Sequence, residues 1–163
     1  MPIWPRWIDT SDEVNLREVA PNLYVGAEYA PLRPPEGTRG NRWELVVDWY
    51  GSSQRYPSRV QKTAKRVLSL PFDDGDRFPD GALSQMIRRV QAARRRGPVL
   101  LHCQAGLSRS ASAAYAALRR LSRVPHEEAL RRVKGHPSEG TQVIRTYPRK
   151  DTLASARAWV EGS

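Results

Sequence analysis

The apolar run Pro98-Val99-Leu100-Leu101 leads into the short loop His102-Cys103-Gln104-Ala105-Gly106-Leu107-Ser108, and a stretch from Arg109 to Arg123 without Gly or Pro follows. The run reads as a buried strand and the alanine- and leucine-rich stretch as a helix. A strand joined to a helix by so tight a loop belongs to an α/β sheet, which constrains this chain more than any other feature. In such a turn the successive backbone N–H groups can face one concavity. The unpaired N–H groups and the positive dipole end of the helix add to it, making a favourable site for a phosphate dianion. Ala105, Gly106 and Ser108 are small enough for the backbone to wrap closely.

The side chains of the loop divide the chemistry. Cys103 is the only cysteine of the chain, and its thiolate form is favoured by the helix start and by Arg109, which suits it to nucleophilic attack on phosphorus. Arg109 offers a planar fork that can hold two phosphoryl oxygens as charge redistributes, which a lysine cannot do bidentately. Ser110 places a hydroxyl where it can donate to the cysteine sulfur and help it leave. His102 reads as a buried organiser of the loop rather than a general base, because a thiolate already formed needs none. A lone cysteine is usually an inert small hydrophobe, but His, Cys, Gly, Arg and Ser at these offsets after an apolar strand set that reading aside.

His102 to Ser110 resembles the His-Cys-x5-Arg-Ser/Thr signature of the cysteine-dependent protein tyrosine phosphatase superfamily, and the continuation Ala111-Ser112 resembles its dual-specificity branch. Val19-Ala20-Pro21-Asn22-Leu23-Tyr24-Val25-Gly26 is similar to that branch's opening strand. Arg123-Val124-Pro125-His126-Glu127-Glu128-Ala129 through Val133-Lys134 is similar to the helices after the signature, so the likeness covers about residues 16 to 134. It implies a single α/β domain with a central mixed, mainly parallel sheet flanked by helices, and hydrolysis of phosphate monoesters through a phosphocysteine intermediate without metal or cofactor. Gln104, Ala105, Gly106, Leu107, Ser108 and Arg109 would bind the phosphate.

The resemblance also implies a general acid on a loop ahead of the signature. Ser69-Leu70-Pro71-Phe72-Asp73-Asp74-Gly75-Asp76 offers three carboxylates, 27 to 30 residues before Cys103. The family's Pro-hydrophobic-x-Asp pattern selects Asp74; a register with Pro-x-Asp selects Asp73, and Asp76 is the third choice. The same carboxylate would then deprotonate the attacking water, so activity is expected to peak at mildly acidic pH.

A chain of 163 residues with 39% hydrophobic content suits one domain, here residues 1 to 163 with 1 to 15 as an N-terminal strap. One cysteine excludes an internal disulfide framework and fits a reducing, cytoplasmic setting. No signal peptide and no membrane span are read in the sequence. The net charge of +10, much of it in Arg88-Arg89, Arg94-Arg95-Arg96, Arg119-Arg120 and Arg131-Arg132, reads first as solvated helix faces and second as a field that concentrates anionic substrates. A nucleic-acid partner would suit the charge, but no stacking motif or zinc spacing supports one. The expected partner is a phosphorylated protein or peptide. A non-protein phosphate (an RNA 5′ end, a phosphoinositide, a sugar phosphate) and a non-catalytic phospho-binding module are the alternatives. No lysine lies inside the signature, where lipid phosphatases of the superfamily it resembles often place basic residues, and the resemblance therefore argues against a lipid phosphate.

Along the chain, Leu23-Tyr24-Val25, Trp43 to Trp49, Val67 to Leu70 and Val99 to Leu101 read as strands. Helices are expected over Ser58 to Arg66, from Asp80 or Gly81 to Gly97, over Arg109 to Arg123, from Pro125 or Glu127 to near Gly135, and from about Asp151 to Val160, the last covering the sheet. Trp4 and Trp7 read as a strap packed on the domain. Trp49 and Tyr50 are open between core and site rim, and Gly135 to Tyr147 between pocket rim and connector.

Overall fold

The computed structural model describes residues 3–37, 39–51, 57–136 and 148–162. Among these residues six strands form one sheet: β1 (Arg6–Asp9), β2 (Leu16–Ala20), β3 (Leu23–Gly26), β4 (Leu45–Asp48), β5 (Val67–Ser69) and β6 (Val99–His102), in the order β1-β2-β3-β6-β4-β5. The pairs β1/β2 and β2/β3 are antiparallel, whereas β3/β6, β6/β4 and β4/β5 are parallel. The sheet is thus mixed and mainly parallel, as expected. Among the described residues five α-helices accompany it: α1 (Pro57–Thr63), α2 (Ala82–Arg94), α3 (Arg109–Leu121), α4 (His126–Val133) and α5 (Lys150–Gly162).

Strand side chains alternate between two apolar layers, as the period of two requires. Leu23 and Val25, Val99 and Leu101, and Leu45 and Val47 face the larger core with α2 to α5. Tyr24, Leu100 and Val46 face a smaller core with Trp43, Val60 and Ala64. Strand β6 lies between β3 and β4 and is buried along its whole length. Helix α3 buries ten consecutive residues, Arg109 to Leu118; the alanines at 111, 113, 114, 116 and 117 let its neighbours approach closely on every side.

Three elements differ from the sequence reading. Leu23 to Val25 is a strand as read, but Val19 to Gly26, likened as a whole to one opening strand, spans two: the chain reverses at Pro21-Asn22, where Asn22 takes φ 60°, and its N–H and side-chain amide bond Glu18 Oε2 and Arg94 O. The segment holding Trp7 is an edge strand paired with β2 rather than only a strap. Helix α5 packs on α3 instead of covering the sheet directly. Of the stretch Gly135 to Tyr147, residues 137–147 lie outside the described residues. Among the described residues no helix is long and apolar enough to cross a membrane.

All four parallel strands end on the same edge of the sheet, at Gly26, His102, Asp48 and Ser69. Crevices outside the carboxyl ends of such strands are where α/β sheets bind ligands.

Candidate active site

The loop from β6 to α3 occupies that edge. Cys103 is buried, 2% exposed, with its Sγ 3.1 Å from Ser110 Oγ on the first turn of α3. Its N–H donates to Gly26 O at 3.3 Å, which ties the start of the loop to the end of β3. Gly106 takes φ 72°. A Cβ there would lie 2.9 Å from Gly26 C and 3.0 Å from Ala27 N, so this position requires glycine for both its conformation and its closeness.

Arg109 is 8% exposed. Its Nη1 donates to Phe72 O at 2.8 Å and lies 3.5 Å from Trp49 O, and its guanidinium carbon sits 5.4 Å from the Tyr50 ring centroid. Its Nε is buried without a hydrogen-bond partner among the described residues. The arginine therefore joins the loop after β6, the end of β4 and the loop after β5, with its buried Nε donor still unpaired among the described residues. Trp49 is fully buried and belongs to the core, packing on Phe72 and Phe78, whereas Tyr50 is half-buried against Arg109.

His102 is fully buried, with Nε2 3.3 Å from Asp48 Oδ1. The contact is off hydrogen-bond geometry, so it is electrostatic. Burial pushes the imidazole pKa down from its ordinary value, with the Asp48 carboxylate acting in the opposite direction. The same carboxylate accepts the N–H groups of Tyr50 and Gly51. Asp48 thus orders the turn after β4, while His102 O accepts from Trp49 N–H.

The three aspartates are placed differently. Asp74 is half-buried and its Oδ2 accepts from Arg149 Nε at 3.2 Å, while the Arg149 N–H donates to Ser108 Oγ at 3.0 Å. One residue at the start of α5 therefore touches both the phosphate loop and Asp74. Asp73 and Asp76 are exposed. The loop that carries them is bound to α5 by Gly75 N–H to Thr152 Oγ1, Thr152 Oγ1 to Asp76 O, and Phe78 N–H to Ser155 Oγ. By resemblance Arg149-Lys150 lies where the family often has a substrate-facing loop, but its residues depart from the usual ones there and the sequence assigns Arg149 itself no role.

Two further residues came from outside any motif. Asn15 and Arg17, before and within β2, are buried beneath the phosphate loop and donate to Ala105 O at 3.1 Å and to Gly106 O at 2.7 Å. Among the described residues no cluster of His, Cys, Asp or Glu could hold a metal ion.

No protein-family model matches the chain. Over 109 residues it is 32% identical to the dual specificity protein phosphatase TpbA of Pseudomonas aeruginosa strain PAO1, a match covering 67% of this chain and 47% of the relative. The chain thus spans about half the length of the curated relatives it matches. The crystal structure of P. aeruginosa TpbA is similar over 99% of this chain and 91% of that one, with a TM-score of 0.64 at 27% identity. The chain belongs to the cysteine-dependent protein tyrosine phosphatase superfamily, in its dual-specificity branch. The fold is shared more widely in this superfamily: human DUSP28 matches with a TM-score of 0.68 at 21% identity, over 97% of both chains.

Proposed function

We propose that the chain is a cysteine-dependent phosphatase that hydrolyses phosphotyrosine, and in a sufficiently shallow pocket phosphoserine and phosphothreonine, in proteins or peptides. The observation that carries this reading is the pairing of Cys103 and Arg109 at the two ends of one strand-to-helix loop, the thiol on Ser110 Oγ and the guanidinium buried with Nε unpartnered. The relative TpbA, crystallised in complex with pTyr, supports the substrate class.

In the proposed first step the Cys103 Sγ electron pair attacks phosphorus and the ester oxygen departs, taking a proton from Asp74. Arg109 and the loop N–H groups hold the equatorial oxygens, whose charge is spread in the transition state. In the second step Asp74, now a carboxylate, removes a proton from water. The water oxygen attacks phosphorus, phosphate is released, and the sulfur leaves as a thiolate that accepts the Ser110 hydroxyl. Asp74 is preferred over Asp73 because it is half-buried and joined through Arg149 to Ser108 of the phosphate loop.

The test is hydrolysis of p-nitrophenyl phosphate from about pH 5 to 8, without metal, by the wild type and by Cys103→Ser, Asp74→Asn and Asp73→Asn. Loss of turnover in Cys103→Ser and a fall of roughly 100-fold in kcat in Asp74→Asn, with its basic limb flattened, are expected. The same fall in Asp73→Asn instead would move the acid by one residue. An inactive wild type that still binds vanadate would make the chain a phospho-binding module.

A further inference from the structure

The backbone of the phosphate loop is held from outside by three donors, each on a successive carbonyl. Gln104 O accepts from Glu28 N–H at 2.9 Å, Ala105 O from Asn15 Nδ2 at 3.1 Å and Gly106 O from Arg17 Nη2 at 2.7 Å. In a planar trans peptide the carbonyl and the following N–H point in opposite directions. Drawing these three carbonyls outward therefore turns the N–H groups of Ala105, Gly106 and Leu107 the other way, to the inner side of the loop.

Arg17 stands out among the three. It is 0% exposed; its Nη1 donates to Asn15 O and its Nη2 also to Val133 O, so that every partner is a main-chain carbonyl, while its Nε has none among the described residues. No carboxylate pairs with it among the described residues. The Trp7 ring covers the guanidinium at 5.6 Å. A buried arginine without a counter-charge is expensive to keep. Burial pulls its pKa down to about 9, and the charge of Cys103 is what acts against that fall, so the group stays cationic at neutral pH. An apolar residue on β2 would avoid this cost if the position served packing alone.

We propose that Arg17, assisted by Asn15, is the positioning residue of the phosphate loop: it holds the Gly106 carbonyl outward and so aims the Leu107 N–H at the bound phosphoryl group, while its buried cation lies beneath the anion. The proposal rests on the loop being a phosphate site. It adds the element that makes the loop competent: the Gly106 peptide, at φ 72°, is fixed by Arg17 and does not depend on the ligand to orient it.

The test separates binding from turnover by measuring inorganic phosphate affinity calorimetrically in Cys103→Ser, alone and combined with Arg17→Met, Arg17→Lys or Asn15→Asp. Thermal unfolding of each protein is recorded alongside. Phosphate affinity should fall about tenfold or more in Arg17→Met at temperatures well below unfolding, since one charge-supported donor set is lost. Arg17→Lys, which keeps the charge and one donor, should recover part of it. With Cys103 restored, kcat/KM of Arg17→Met for p-nitrophenyl phosphate should drop roughly 100-fold, with kcat sharing in the loss. If Arg17→Met does not fold, Asn15→Asp decides. It keeps the acceptor for His136 N–H but sets a carboxylate against Ala105 O, and weakened phosphate binding supports the clamp. Phosphate affinity unchanged in the folded variants, with only the melting temperature lowered, would reduce Arg17 to a structural residue and leave the phosphatase reading standing. A Cys103→Ser parent that binds no phosphate overturns both.

Discussion

Ser110 shows how much one hydroxyl can be asked to do. It lies 3.1 Å from Cys103 Sγ and 3.5 Å from Gly26 O, so it can donate to a thiolate or, with the thiol protonated, to the carbonyl. In the proposed second step a thiolate forms as the phosphocysteine is hydrolysed, and the Ser110 hydroxyl would then be a charge-assisted donor to the leaving sulfur. Ser110→Ala is expected to leave the first step nearly intact and slow the second, lowering kcat roughly tenfold or more. Rapid mixing with p-nitrophenyl phosphate should then reveal a burst of one product equivalent before slow turnover; a variant slowed without a burst would place the hydroxyl in the first step instead. Cys103, Arg109 and Ser110 were readable in the sequence because their relation is local, fixed by one loop and one helical turn. Asn15 and Arg17 were not. They meet the loop across 90 and 89 residues of chain, and an arginine in the run Leu16-Arg17-Glu18-Val19 looks like the polar face of an ordinary strand.

At the scale of elements, the active edge depends on how closely the phosphate loop passes the end of β3. Gly106 lies against Gly26 and Ala27 main-chain atoms, and these are backbone atoms that cannot swing aside. Gly106→Ala adds both a left-handed strain and a clash, together about 1 to 3 kcal/mol. The loop has no free direction in which to relax, because Glu28, Asn15 and Arg17 hold its outer side. The variant is expected to unfold at lower temperature, and to lose kcat/KM roughly 100-fold through displaced N–H donors; thermal melts and steady-state kinetics check the two effects separately. Unchanged kinetics in a destabilised protein would mean that the loop tolerates the shift. The helices and central strands were legible because their apolar periods are strong, as with Leu83, Met86, Ile87 and Val90 on α2. The attachment of the acid loop to α5 through Thr152 and Ser155 was not. Hydroxyls in a helix carry no sign of whether they face solvent or another loop's backbone.

The charge belongs to the molecule as a whole. Some arginines are locally engaged: Glu128 bonds both Arg131 and Arg132, which hold its carboxyl down at about 2, Arg157 pairs with Glu161, and Arg94 caps Pro21 O. Such pairs redistribute charge without cancelling a net +10. That surplus acts over about a Debye length, roughly 10 Å at 0.1 M salt, so it bears on how an anionic peptide arrives more than on the chemistry at phosphorus. For a phosphotyrosine peptide flanked by Asp and Glu, kcat/KM should fall several-fold as ionic strength rises from about 20 to 300 mM, through a slower encounter. A peptide flanked by neutral residues, carrying the same phosphate into the same loop, should lose much less, and kcat should change little for either. The comparison cancels the screening of the phosphate itself, which both peptides share. Parallel slopes would confine the effect of charge to the loop and Arg109, leaving the arginine clusters as solvated helix faces. Diverging slopes would make the basic surface part of substrate selection, which the apolar periodicity of the sequence could not decide because both roles place arginine on the same exposed face.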